Sequence, residues 1–254
     1  MLDIVVCATQ RCGSTLFLED MRNIGILGMP EEYFISWIDG PQDQDWRKKL
    51  QELHDKARSA NGVTAVKIMA NQLSGIDNRL ATLVSSDADG IFPHVAHTFN
   101  DALWVWLHRR DVVEQAISRV IARQTKVYHA TEDHKFEHFT GNAMRGYDEN
   151  YNRDAEYDRT QIFREVNSIT LEALTWRHFF ESHKITPLEF VYEDVVQDED
   201  MRHLDMLMKR LGIAGPVSKT SRTSAKLGNR RNIEWRERFL REAAGSHFNL
   251  AKFS

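Results

Sequence analysis

The chain is poor in cysteine: Cys7 and Cys12 are all it has in 254 residues. A disulfide between them would distort the short segment they share. Both read as reduced thiols, and the expected compartment is the cytoplasm. No apolar run reaches about 18 residues, which excludes a membrane-spanning helix. The first apolar stretch begins almost at Met1, and no signal peptide is expected. Positive charge is not in excess: 33 Lys and Arg face 37 Asp and Glu, a net −4, so no basic field points to nucleic acid. The basic residues gather locally instead, at Arg47-Lys48-Lys49 (a solvated helix face), Arg109-Arg110 and Arg230-Arg231. There is no internal repeat. An apolar content of 42% over this length supports one α/β domain, residues 1–254, with a substantial core.

A more specific absence lies in the stretch Ile4-Val5-Val6-Cys7-Ala8-Thr9-Gln10-Arg11-Cys12-Gly13-Ser14-Thr15-Leu16-Phe17. An apolar strand enters a turn holding Gly, Ser and Thr, and an apolar helix follows. Such a turn aims backbone N–H groups and a helix N-terminus at an anion. Arg11 adds a fixed positive charge, and Ser14 and Thr15 add hydroxyls. A nucleoside-triphosphate loop would have Gly at position 8 and Lys at position 14; this chain has Ala8 and Ser14. The missing lysine is the one that reaches the β- and γ-phosphates. The phosphate cradle survives, and the triphosphate chemistry does not. The alternative is an ordinary strand–helix turn capped by Ser14.

A second strand-to-helix junction follows at Ala102-Leu103-Trp104-Val105-Trp106-Leu107-His108-Arg109-Arg110. Asp111 and Glu114 then form a capping-box pattern, and Ala116, Ile117, Val120 and Ile121 make a helical stripe. A triphosphate enzyme would place a metal-binding Asp at the strand end. Guanidinium groups suit a phosphate instead, through bidentate donors. Arg109 and the Ser118 hydroxyl are the expected holders. The competing reading is a salt-bridged arginine pair.

Alternation of strands (3–8, 63–69, 102–109, 188–192) with helices (14–24, 44–60, 72–86, 111–128, 161–184, 198–212, 234–244) predicts a parallel sheet with helices on both faces. Ligands then bind at the carboxyl ends of the strands, where Gln10, Arg11, Arg109 and Arg110 lie. Residues 129–160 are polar and weakly periodic, and read as a lid-like insertion. In it, Tyr147, Asp148, Asn150 and Tyr151 could contact a sugar, with a solvated insertion as the alternative. His134-Lys135-Phe136-Glu137-His138 formally matches an H-x-x-E-H zinc pattern, but no third ligand accompanies it, and no metal is expected. His94 and His97 read as loop residues.

The segment Thr9-Gln10-Arg11-Cys12-Gly13-Ser14-Thr15 resembles the 5′-phosphosulfate loop of sulfotransferases, and Arg109 to Ser118 resembles their 3′-phosphate motif. Lys226-Leu227-Gly228, Glu234-Trp235 and Phe239 are similar to a third segment of those enzymes. With Gly28-Met29-Pro30-Glu31-Glu32-Tyr33-Phe34, Val66-Lys67-Ile68-Met69-Ala70-Asn71-Gln72 and Gln124-Thr125-Lys126-Val127-Tyr128, the whole resembles the bacterial trehalose 2-sulfotransferase-like family. The resemblance spans residues 4 to about 240. Cys12, where the family commonly has Ser, and Arg110, often Pro, depart from it.

The resemblance implies a P-loop-like sulfotransferase fold and 3′-phosphoadenosine 5′-phosphosulfate as co-substrate. It implies a hydroxyl acceptor of carbohydrate or glycolipid type, and a tendency to form homodimers. It carries the family's base onto Glu32, with Tyr33 and Phe34 as neighbours that could desolvate the carboxylate. It assigns the sulfuryl oxygens to Arg11, the 5′-phosphate to Gln10, Arg11, Cys12, Gly13, Ser14 and Thr15, and the 3′-phosphate to Arg109 and Ser118, with Lys226 or Arg230 closing over it. Lys67 is expected near the transferring group. Cys12 beside Arg11 is expected to be a reactive thiol whose alkylation blocks the donor. Two rivals stay open: a P-loop kinase or NTPase, and a non-catalytic nucleotide-binding module of the same fold.

Overall fold

A computed structural model describes residues 3–41, 43–86, 89–132, 143–215 and 222–250. In chain order the elements are β1 (Asp3–Ala8), α1 (Ser14–Asn23), α2 (Ile35–Asp39), α3 (Trp46–Ala57), β2 (Thr64–Met69), α4 (Leu73–Leu80), α5 (Pro93–Thr98), β3 (Leu103–His108), α6 (Val112–Thr125), β4 (His129–Thr131), β5 (Ala143–Arg145), α7 (Arg159–Ser182), β6 (Leu188–Val191), α8 (Tyr192–Gln197), α9 (Arg202–Arg210) and α10 (Arg230–Leu250). No helix among the described residues is long and apolar enough to cross a membrane. The chain divides into two compact units, one of Met1–Arg110 and Leu171–Arg222, the other of Asp111–Thr170 and Thr223–Ser254.

In the first unit the strands form one parallel sheet in the order β2-β1-β3-β6. Val5 stands opposite Val66 and Trp104, and Cys7 opposite Ile68 and Trp106. Because strand side chains alternate in direction, Val5, Cys7, Val66, Ile68, Trp104 and Trp106 share one face. There they pack with Trp37, Leu53, Ile76, Trp176 and Phe179. Ile4, Val6, Ala65, Val105 and Leu107 share the other, with Phe17 and Met21 of α1 and Leu204 and Leu207 of α9. Both faces are covered by helices, which is why the strands read as continuous apolar runs. Burying each such large side chain stabilises the unit by roughly 1.5–3 kcal/mol. Trp176 also donates from Nε1 to the Ala8 carbonyl at 3.0 Å, fixing the exit of β1.

The second unit packs the α6 stripe Ala116, Ile117, Val120 and Ile121 against Ile162, Ile169, Trp235 and Phe239. The expected cap is present: the Asp111 carboxylate accepts from the Glu114 N–H at 2.8 Å, and also from Arg236 Nε at 2.5 Å. Between α6 and α7, β4 and β5 form a short parallel pair. Residues 133–142, with His134, Glu137 and His138, lie outside the described residues.

The structure departs from the sequence reading at short elements. Helices α5 and α8 were not expected, the turn or short helix expected from Pro30 around Glu31 and Glu32 is an irregular segment that leads into α2 at Ile35, and α4 stops at Leu80, where the chain turns through Ala81 to Leu83. His94 and His97 lie on α5. Asp77 caps that helix, accepting the His94 and Val95 N–H groups at 2.8 and 3.0 Å. Helix α10 begins at Arg230, ahead of the apolar stripe, because Asn229 accepts the Arg231 N–H at 3.1 Å.

Candidate functional site

The turn between β1 and α1 is tight. Cys12 N–H donates to the Thr9 carbonyl at 3.2 Å, Arg11 has φ 66° and Gly13 has φ 90°. Ser14 is the first helical residue, not the cap. The cap is Gly13, which has no side-chain oxygen to offer the first-turn N–H groups. The positive end of α1 is thereby built from backbone, as an anion site requires. Gln10, Arg11, Gly13 and Thr15 are half-buried, whereas Cys12 and Ser14 are buried. This burial corrects the expectation of a reactive Cys12 thiol open to alkylation. Its side chain packs into the core with Phe17 and Leu18 because the turn folds inward at that point.

The two arginines after β3 separate. The Arg110 guanidinium is exposed and pairs with both oxygens of Asp194 at 2.9 Å, the salt-bridged surface alternative. Arg109 turns inward, its side chain 9% exposed. Its guanidinium lies over the Tyr192 ring at 4.9 Å, stands 3.6 Å from Glu193 Oε1, and donates to the Arg11 carbonyl at 3.5 Å. The Tyr192 ring in turn sits on Gly13. Tyr192 and Glu193 were missed in the sequence, although they lie at the carboxyl end of β6, where the strand-end rule places ligands.

In the second unit, Ser118 is half-buried on α6. Lys226 is exposed. Arg230 is exposed and paired with Glu234 at 2.8 Å. Arg231 donates to the carbonyls of Asn152, Arg153 and Ala155 at 2.7–2.8 Å, which is a structural use. Of the four residues considered for sugar contact, Tyr147 and Asn150 are exposed, Asp148 accepts the Asn150 N–H at 2.9 Å, and Tyr151 donates to the Leu227 carbonyl at 3.0 Å.

Glu32 belongs to the first unit. Gly28, with φ 79°, lets its segment lie directly on β2, since a Cβ there would stand 2.6 Å from the Ala65 backbone N. Lys67 N–H then donates to the Glu31 carbonyl at 3.0 Å, and Glu31 pairs with Arg22. That register brings the Glu32 carboxylate to two buried donors. Lys67 Nζ meets Oε2 at 2.7 Å, and Gln72 Nε2 donates to Oε1 at 2.7 Å. The aromatic neighbours do other work. Tyr33 donates its hydroxyl to the Met29 and Lys56 carbonyls, and Phe34 packs against Trp37 and Phe99. The setting of Glu32 is an ion pair and an amide, not an apolar wrap. Gln72 was missed because its partner lies far off in sequence.

A further buried cluster supports α1. Asp20, fully buried, receives Arg222 Nε and Nη2 at 2.9 and 2.8 Å, and lies 3.0 Å from His203 Nε2. Burial pushes the Asp20 carboxyl up, but hydrogen bonds from His203 and Arg222 outweigh it and hold it below the ordinary range.

The chain is 26% identical to the trehalose 2-sulfotransferase of Mycobacterium tuberculosis and 24% identical to that of Mycolicibacterium smegmatis, each over 94% of both chains. A sulfotransferase crystal structure from Alicyclobacillus acidocaldarius overlaps 92% of this chain and 87% of its own, at 11% identity and a TM-score of 0.43, too low to add to the fold read from the chain itself. The model of the Stf0 sulphotransferase family matches residues 3–242, and the chain belongs to that family.

Proposed function

We propose that this sulfotransferase moves the sulfuryl group of 3′-phosphoadenosine 5′-phosphosulfate onto a carbohydrate or glycolipid-type hydroxyl. The observation that carries the reading is the phosphate turn: a backbone-built helix N-terminus at Gly13, with Arg109 joined to it through Arg11 and Tyr192. Ser14 in place of a lysine, and arginine in place of a strand-end aspartate, fit a phosphosulfate better than a triphosphate. The sugar acceptor is inferred from the two relatives named for trehalose.

In this reading Gln10 to Thr15 bind the 5′-phosphate, and Arg11 holds the sulfuryl oxygens. Arg109 and Ser118 bind the 3′-phosphate on the strength of the motif, with Lys226 or Arg230 closing over it. Glu32 takes the acceptor proton as the hydroxyl oxygen attacks sulfur. The S–O bond to the 5′-phosphate breaks, its electron pair stays on the phosphate oxygen, and adenosine 3′,5′-bisphosphate leaves. Alignment in the site contributes several kcal/mol, and donors fixed before the reaction begins contribute the largest share. A second copy of the chain is the proposed protein partner, with exposed Leu171 and Leu174 on α7 as apolar surface for it.

The test is transfer of labelled sulfuryl from the donor to trehalose and to a panel of sugars. Labelled product supports the reading. Mg²⁺-dependent ATP turnover would favour a kinase or NTPase, and donor binding without transfer to any hydroxyl would leave a binding module.

A further inference from the structure

Gln72 is buried at the turn that follows β2. Its Oε1 accepts the Met69 N–H at 3.1 Å, and its Nε2 donates to Glu32 Oε1 at 2.7 Å. The Met69 donor fixes which way the amide faces. A flipped amide would set NH₂ against N–H at one end and a carbonyl oxygen against a carboxylate at the other. The end facing Glu32 is therefore always the donor.

Among the described residues Glu32 thus has one donor on each oxygen, and the two differ in charge. Lys67, whose side chain is 6% exposed, places an ammonium on Oε2. Gln72 places a neutral amide on Oε1. A carboxylate offers about four lone-pair sites, so each oxygen keeps one for an incoming hydroxyl. A proton arriving on Oε2 would sit beside a buried positive charge, whereas one arriving on Oε1 meets none from the amide. We infer that Gln72 is the positioning residue of the reaction: it fixes the plane of the Glu32 carboxylate and makes Oε1 the oxygen that receives the acceptor's proton. The inference rests on Glu32 being the base. The acceptor O–H bond breaks, its proton passes to Oε1, and its electron pair forms the new O–S bond as the S–O bond to the 5′-phosphate breaks.

The experiment compares wild type, Gln72→Glu, Gln72→Leu, Glu32→Gln and Glu32→Gln/Gln72→Leu. Each is assayed for labelled sulfuryl transfer to trehalose, or to the first hydroxyl acceptor a sugar panel yields, and for adenosine 3′,5′-bisphosphate binding by calorimetry. Gln72→Glu keeps the acceptor for the Met69 N–H and the side-chain shape but turns the donor toward Glu32 into an acceptor, and an intact bisphosphate Kd shows that each variant is folded. Either Gln72 variant should lower kcat about ten- to a hundredfold. KM for the acceptor and the bisphosphate Kd should stay within about twofold, which a merely structural role would not spare. In the Glu32→Gln background Gln72→Leu should change the residual kcat less than about twofold, since the group it positions is gone.

Wild-type kcat in Gln72→Glu, or a full additional loss in the double variant, overturns the inference and leaves the Glu32 reading standing. Wild-type turnover in Glu32→Gln overturns both. No transfer by the wild-type chain to any hydroxyl overturns the proposed reaction and this inference with it.

Discussion

The Tyr192 ring occupies the space that a side chain at position 13 would need: a Cβ on Gly13 would stand 1.9 Å from Tyr192 Cδ2. The same ring carries the Arg109 guanidinium at 4.9 Å. One aromatic side chain at the end of β6 therefore shapes both the turn after β1 and the arginine after β3.

Gly13→Ala meets two obstacles, the φ of 90° and the ring. It should lower stability by about 1–3 kcal/mol and weaken adenosine 3′,5′-bisphosphate binding at least about tenfold. In a Tyr192→Ala background the steric part vanishes and only the backbone part persists, so the substitution should cost less there. Chemical denaturation of the four proteins reads the difference.

The sheet strands and the turn after β1 were legible in the sequence because their marks are local. β1 and β3 are apolar runs that end in marked polar turns, and Asp111 and Glu114 announce α6. The short helices were not. Tyr192 follows Val191 with no glycine, proline or side-chain cap between strand and helix, so the expected strand ran on to Tyr192 and α8 went unread. Pro93 at the first turn of α5 was a usable signal. Glu32 was found only through resemblance, since its partners Lys67 and Gln72 come from a register set elsewhere, by Gly28 against Ala65. Tyr192 and Glu193 were hidden for the same reason.

Glu32→Gln removes the proposed proton acceptor and keeps its shape. Turnover should fall about a hundredfold to ten-thousandfold, with the bisphosphate Kd within about twofold. Steady-state transfer and calorimetry on the same preparation check it. A parallel loss of binding would make Glu32 a ligand-binding residue instead.

Asp20 predicts an acid-labile stability term. Its folded carboxyl lies below the ordinary value of about 3.9, so the cluster stabilises the fold fully above that value. The stabilisation fades as pH falls through the folded value. Asp20→Asn should lower stability by about 3–5 kcal/mol at neutral pH, because it breaks a buried pair with Arg222. The gap to wild type should narrow below about pH 4. Denaturation curves across pH show this, and a gap unchanged down to pH 3 would contradict it.

Cys7 and Cys12 are both fully buried, and burial pushes the Cys7 thiol well up. A small alkylating reagent should leave both unmodified in the native protein and label both in denaturant. Mass spectrometry of the two samples reads the outcome.

Recognition of an adenosine phosphorylated at both ends is the central proposal. Calorimetry of the wild-type chain with adenosine 3′,5′-bisphosphate and with adenosine 5′-monophosphate tests it most directly. The bisphosphate should bind at least about tenfold more tightly, the worth of one charged hydrogen bond at roughly 1.5–3 kcal/mol. That preference should disappear in Arg109→Ala/Ser118→Ala. Equal affinity of the wild-type chain for the two nucleotides would contradict it.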